Sequence, residues 1–218
     1  MKRIADSTVR RLSAYLRFLE ESSRRGVTTI SSDELAKRGG TTSAQVRKDL
    51  SFFGSFGKRG LGYGVGELIE SLRSILGLGR QWSVIIVGAG KIGTALAQYE
   101  GFRRRGFMVS AVYDRDARKV GEPVAVTGGQ LTVRDIAQIE RDIAREKPDI
   151  AVLTVPGEDA QAIVDRLVRA GVRAILNFAP VQLRVPNEVA LRSVNMAMEL
   201  EGLSFALSNR AGAVGAER

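Results

Sequence analysis

Apolar positions follow two regimes along this chain. In the first eighty residues they recur at helical spacing, and beyond that short continuous apolar runs alternate with helical stretches. Val9, Leu12, Leu16 and Leu19 form one helical stripe, with Asp6 or Ser7 able to cap it and Gly26 to end it. "SSDELAKRGG" opens with capping-box spacing, Ser31 to Glu34, and stops at Gly39-Gly40. "TTSAQVRKDLSFFG" opens with the same spacing, Thr42 to Gln45, and Gly54 closes it. Two short helices joined through glycine read as a helix-turn-helix. In "GSFGKRGLGYGVGE", glycines alternate with Phe56, Leu61, Tyr63 and Val65, which predicts a short hairpin tipped by Lys58 and Arg59. "VGELIESLRSILG" is an amphipathic helix, and Gly77 and Gly79 after it place a domain boundary at about residue 79.

The second regime opens with "SVIIVGAGKIGTALAQY", a buried-type strand, a glycine turn and a helix. Gly88, Gly90 and Gly93 match G-x-G-x-x-G in the strand–turn–helix setting that this motif requires. The first glycine makes the turn, the second lets a pyrophosphate approach the backbone, and the third lets helix and strand pack closely. The next strand, "MVSAVYDRD", ends at Asp114, 21 residues past Gly93, where a carboxylate holds the adenosine ribose hydroxyls of NAD. A carboxylate there favours NAD over NADP, with Arg115 beside it softening the preference. Downstream, "TVRDIAQIERDIAREK" reads as helix, "DIAVLTVP" as strand, "EDAQAIVDRLVRAG" as helix and "RAILNFAP" as strand. This alternation predicts a parallel sheet covered on both faces, with ligands beyond the carboxyl ends of its strands. Those ends include Thr154-Val155-Pro156 and Asn177-Phe178-Ala179-Pro180, which could flank a nicotinamide or simply close their strands.

Charge separates the two regions. Residues 1–80 carry 15 Lys+Arg against 8 Asp+Glu, a net +7 of the chain's +9. A positive field on one small domain suits a polyanion such as nucleic acid. On the second helix of the pair, Val46, Leu50 and Phe53 face inward, leaving Ser43, Ala44, Arg47, Lys48 and Ser51 outward. Arg47 can fork onto guanine in a major groove, and Lys48 can meet a base or phosphate as a point charge. The hairpin then reads as a wing whose tip enters a minor groove. A solvated basic face and an incidental glycine loop are the plainer alternatives.

Composition narrows the chemistry. The 218 residues are 44% apolar, enough for packed cores, and contain neither cysteine nor histidine. Disulfides, thiolate nucleophiles and the commonest general base and metal ligand are therefore missing. No apolar run is long enough to span a membrane, and the N-terminus lacks the features of a signal peptide, so the expected location is cytoplasmic.

"QVRKDLSFFGSFGKRGLGYGV", "VGAGKIGTALAQY", "LTVPGEDAQAIVDRLV" and "ILNFAPVQLRVPNEV" resemble the redox-sensing transcriptional repressors of the Rex family, in order and over nearly the whole chain. The resemblance implies an α/β protein: a winged-helix domain (1–79), then a Rossmann-like doubly wound parallel sheet (80–194). It also implies a C-terminal helix swapped between subunits (195–207), leaving a flexible tail (208–218). It implies a homodimer on palindromic operator DNA that senses the NADH/NAD+ ratio, NADH releasing the DNA, with no catalytic and no metal site. Implied DNA contacts are Ser43, Gln45, Arg47, Lys48, Ser51, Lys58, Arg59 and Tyr63. Implied cofactor contacts are Gly88, Ala89, Gly90, Lys91, Ile92, Gly93, Asp114, Arg115, Lys119, Thr154, Val155, Pro156, Asn177, Phe178, Ala179 and Pro180.

In one place the chain departs from that pattern. Family members carry Asp before the swapped helix, coupled to an arginine and a tyrosine that match Arg17 and Tyr99. This chain has Asn195 there. A redox-insensitive, DNA-binding relative is therefore one alternative. An NAD-dependent oxidoreductase is another, opposed by the missing histidines, by the lack of a Tyr-x-x-x-Lys pair and by the short stretch after residue 180.

Overall fold

The structure is a computed structural model describing residues 4–57 and 61–215. The chain divides into two compact units, residues 1–80 and 81–218.

The first unit is built on helix α1 (Asp6–Arg24), which buries Leu12, Tyr15, Leu16 and Leu19. Its N-cap is Ala5, with no side-chain cap, and Val9 is 42% exposed; Thr8 takes the inward place expected of Val9, and Tyr15 joins the buried stripe. Strand β1 (Thr29–Ile30) follows, then α2 (Ser32–Gly39) and α3 (Ser43–Ser51). The α2 cap is reciprocal, as its spacing predicts: Glu34 N–H donates to Ser31 Oγ (3.2 Å), and Ser31 N–H donates to Glu34 Oε2 (2.8 Å). Only half of the expected α3 box forms. Gln45 N–H donates to Thr42 Oγ1, but the Gln45 side chain reaches forward to Asp49 instead (2.8 Å).

The expected hairpin is rearranged. Strand β2 (Tyr63–Gly64) pairs antiparallel with β1 rather than with the Phe56 arm, and α4 (Val65–Ile75) follows it. The Phe56 arm still folds back closely: a Cβ on Gly57 would lie 2.4 Å from the Gly62 carbonyl oxygen, and one on Gly62 2.4 Å from that of Ile30. The tip residues Lys58 and Arg59 lie outside the described residues.

Among the described residues of the second unit, the sheet has seven strands in the order β5-β6-β4-β3-β7-β8-β9. They are β3 (Trp82–Val87), β4 (Phe107–Asp114), β5 (Pro123–Val126), β6 (Gly129–Asp135), β7 (Ile150–Leu153), β8 (Ala174–Asn177) and β9 (Ala190–Ser193). All neighbouring pairs are parallel except β5–β6. The helices are α5 (Lys91–Ala97), α6 (Glu100–Arg104), α7 (Ile139–Glu146) and α8 (Gly157–Arg169). "TVRD", read as helix from sequence, is the end of β6, with Val133 buried against the sheet; regular helix begins only at Ile139.

Alternate residues of β3 serve opposite faces. Ile85 and Val87 pack with α7 and α8, while Val84 and Ile86 pack toward α5. Both faces carry packed residues, and within the single chain one face is less fully covered over the β7–β9 end. An open groove of about 270 Å³ there is lined by Val84, Phe107, Ile150, Val152, Leu176 and Ala190, among others.

A last helix, α9 (Met196–Gly215), runs through 208–215, where a flexible tail is expected from sequence. Alanine and leucine favour helix over residues 196–207, and no proline interrupts α9 beyond them. Met196, Leu200, Leu203 and Leu207 lie on one side of α9 and Met198 and Phe205 on the other, all between 62% and 70% exposed. Among the described residues no helix is long and apolar enough to cross a membrane.

Candidate functional site

The glycine turn after β3 separates packing from ligand access. A Cβ on Gly88 (φ 106°) would lie 2.6 Å from the Thr154 carbonyl oxygen, and one on Gly93 1.9 Å from that of Gly88. A Cβ on Gly90 would meet nothing within 4 Å. The protein itself therefore requires the first and third glycines, whereas the second leaves space for what approaches the turn. That is the division of labour expected at a pyrophosphate site. The Thr154 hydroxyl lies within hydrogen-bond distance of the carbonyls of Val87 (3.1 Å) and Gly88 (2.8 Å), holding the end of β7 against the turn.

Asp114 closes the other side. It is 8% exposed and accepts from Ala89 N–H (2.8 Å), Asp116 N–H (2.9 Å) and Lys119 Nζ (3.0 Å). Burial alone raises its pKa, but the donors from Asp116, Lys119 and Ala89 outweigh burial and hold it below the ordinary carboxylate value. Three of roughly four acceptor positions are taken, so an ionised oxygen lone pair remains for a hydroxyl.

The cleft that the turn and the carboxylate both line measures about 640 Å³, within the range of small-molecule sites. Gly88, Gly90, Lys91, Ile92, Asp114, Arg115, Lys119, Thr154, Val155 and Pro156 line it as the sequence anticipates. Asp116, Ile136, Asp159 and Ile163 also line it and were not anticipated. Arg115 Nη1 donates to Asp159 Oδ1 (2.5 Å), tying the end of β4 to the first turn of α8.

Asn177, Phe178, Ala179 and Pro180 are not among the cleft's lining residues. Asn177 is fully buried: its Oδ1 accepts from Ala179 N–H (2.8 Å), and its Nδ2 donates to the Ala179 carbonyl (3.0 Å). Ala179 is 5% exposed within the core. The Asn177 and Ala179 side chains thus shape their own loop. Ala89 and Gly93 are also buried; they serve the site through the Ala89 N–H and through close packing.

In the first unit, Ala44, Arg47, Lys48 and Ser51 are exposed on α3, while Ser43 and Gln45 are half-buried. Tyr63 is only 8% exposed and packs in the core, with its remaining surface lining a groove. Gln45 is likewise committed to Asp49. Asp49 has no exposed surface and accepts from Arg11 Nε (2.6 Å) and Nη2 (2.7 Å), Tyr15 Oη (3.1 Å) and Gln45 Nε2 (2.8 Å). This network was not anticipated. Its sequence signal is a lone acid at position 49 on the apolar Val46–Leu50–Phe53 face.

The proposed switch residues sit as follows. Arg17 is exposed on α1, and Tyr99 is 56% exposed, edge-on to Phe102 at 5.3 Å. Asn195 Oδ1 accepts from Ala197 N–H (3.0 Å) and Met198 N–H (3.4 Å), so it caps α9.

Comparison with known proteins matches both units. Residues 3–51 match the family described as "Putative DNA-binding protein N-terminus", and residues 79–181 that described as "CoA binding domain". A redox-sensing transcriptional repressor Rex from Carboxydothermus hydrogenoformans is 45% identical over 203 residues, 93% of this chain and 96% of that protein. The chain belongs to the Rex family. A second Rex repressor, from Desulfitobacterium hafniense, is 45% identical over 95% of this chain and 97% of its own. The crystal structure of RSP, a Rex-family repressor, has a TM-score of 0.90 at 38% identity and covers 100% of both chains. RSP with β-NAD+ and operator DNA gives 0.90 at 39% identity, covering 100% of this chain and 98% of that one. RSP with β-NADH gives 0.86 at 38% identity, covering 97% of each. The Rex fold, a DNA-binding head and a Rossmann-like body, is thus common to this chain and its relatives.

Proposed function

We propose that this chain is an operator-binding transcriptional repressor that takes NADH and NAD+ in the cleft beside Gly90, NADH binding releasing the DNA. The observation that carries the reading is the pairing of open space at Gly90 with an ionised Asp114 held beside the same turn by Ala89 N–H. The free ribose hydroxyls of NAD match that carboxylate. The 2′-phosphate of NADP, or the ribose phosphate of coenzyme A, would set like charge against it. Lys119 offsets part of this repulsion.

The working species is a homodimer on palindromic DNA, in the cytoplasm. Support comes from α9, whose two opposite apolar sides need cover, and from the open apolar groove over β7–β9, which offers it. A swapped α9 satisfies both. With no histidine or cysteine, the cleft is read as a sensor rather than a catalytic site.

Asn195 favours a second form of this reading, a repressor with a weak NADH response. Its amide oxygen already serves the α9 N–H groups, and its remaining NH2 donates only and cannot pair with a guanidinium.

The test is duplex binding by the purified protein at fixed salt, with NADH and NAD+ titrated in parallel. The reading expects release by NADH at concentrations where NAD+ leaves the complex intact. Equal response to both, or none to either, leaves only the DNA-binding half standing.

A further inference from the structure

We propose that Arg47 and Ser32 together hold one phosphate of the DNA backbone, so that base reading on α3 falls to Lys48 and its small neighbours rather than to Arg47. This rests on the operator-binding reading above and refines which side chain does what.

Arg47 Nη1 donates to Ser32 Oγ at 2.9 Å. Ser32 is the first residue of α2, so the guanidinium is drawn back toward α2 rather than outward past α3. In a helix-turn-helix the second helix enters the major groove while the first crosses the sugar–phosphate backbone. A guanidinium tethered to the first helix therefore lies where the backbone runs.

The donors that remain suit an anion. Arg47 has committed one of its five N–H donors to Ser32, leaving four. Ser32 accepts that bond, which leaves its own hydroxyl proton free to donate toward the same point. Both residues line an open groove of about 930 Å³, bordered also by Ser51, Ser55 and the glycines at 54 and 57. The glycines and Ser55 on these walls admit a backbone, and Ser55 offers a neutral donor to it, whereas the Ser51 hydroxyl is donated to the Lys48 carbonyl (2.8 Å). The nearby Glu34 carboxylate is engaged in its own cap, on Ser31 N–H and Ser31 Oγ. Lys48, one position on, is exposed and reaches outward from α3.

Phosphate and base contacts leave different signatures. A lost phosphate contact weakens all duplexes alike and lowers the salt dependence of binding; a lost base contact weakens only the correct sequence. The experiment measures binding of wild type, Arg47→Ala, Ser32→Ala and Lys48→Ala from low to moderate salt. Its two probes are a palindromic duplex recovered from a random pool by the wild-type protein and a scrambled duplex of the same composition. Thermal melting checks each variant; Arg47 and Lys48 are exposed and Ser32 is half-buried.

For Arg47→Ala the expected result is an equal fold loss on both duplexes, with the slope of log affinity against log salt reduced by about 0.9. Ser32→Ala should lose about 2- to 10-fold, again on both. Lys48→Ala should shrink the ratio between the two duplexes. The proposal is overturned if Arg47→Ala weakens only the selected duplex with its salt slope unchanged, or if Ser32→Ala changes neither. If the wild-type pool yields no preferred duplex, the operator-binding reading falls and takes this proposal with it, an outcome distinct from the first two.

Discussion

Asp49, on α3, holds Arg11 of α1 through both carboxylate oxygens, at 2.6 and 2.7 Å, with no surface of its own exposed. Tyr15 and Gln45 complete its acceptor set. The exposed face of α3, with Arg47 and Lys48, is thereby fixed in angle by an ion pair on the helix's hidden side. The Tyr15 hydroxyl is pushed up to about 12, first by burial and then by the Asp49 charge, so it remains a donor at every working pH.

Removing the Asp49 carboxylate strands Arg11. Asp49→Ala should cost about 3 kcal/mol, the low end for a broken buried pair, because the Arg11 side chain is still 23% exposed. Denaturant midpoints of the wild type and variant check the value. Burial raises the Asp49 pKa, but the bonds from Arg11, Gln45 and Tyr15 bring it below its ordinary 3.8. A depressed value stabilises the fold above the ordinary carboxylate pKa and loses that contribution as pH falls through the folded value. The gap between wild type and variant should thus be full at neutral pH and close only in acid below that ordinary value.

Two glycine variants separate folding from binding. Gly93→Ala places a methyl 1.9 Å from the Gly88 carbonyl oxygen and should lower the melting temperature. Gly90→Ala meets nothing within 4 Å and should melt like the wild type, yet bind NADH more weakly because its methyl occupies the phosphate approach. Parallel melting and NADH titration read both, and normal NADH affinity in Gly90→Ala would remove the turn from the site.

Asp114→Ala should weaken NADH while leaving duplex affinity near wild type. Equal loss of both would indicate damage to the fold instead. Because the carboxyl lies below its ordinary value, it stays charged throughout the neutral range, and wild-type NADH affinity should be flat from about pH 5 to pH 8.

Asn195→Asp keeps the α9 cap, since aspartate accepts the same two N–H groups, and adds a charge available to a guanidinium. Release of the duplex by NADH should become steeper in this variant. An unchanged response would take residue 195 out of the switch.

Features legible in the sequence are those written at short range. The Ser31–Glu34 cap and the glycine turn follow from short fixed spacings, and Asp114 from the fixed spacing of one strand–helix–strand repeat. The Asp49–Arg11 pair spans 38 residues and was invisible to local pattern. "TVRD" looked helical because Ile136, Ile139 and Ile143 continue at helical spacing, yet Val133 is claimed by the sheet. Tyr63 sat in a glycine-rich stretch that reads as surface, and only its pairing with Ile30 shows it buried. A strand end such as Asn177 reads equally as ligand contact or strand closure, and the hydrogen bonds of its amide to the Ala179 backbone show the second.

The central claim is an energetic link between the cleft and the DNA-binding face, and such links are reciprocal. Calorimetric titration of NADH into the free protein and into the protein saturated with its duplex measures the link directly. The account predicts that duplex weakens NADH by the same factor by which NADH weakens duplex, with a much smaller factor for NAD+. Identical NADH affinity in the two titrations would contradict it.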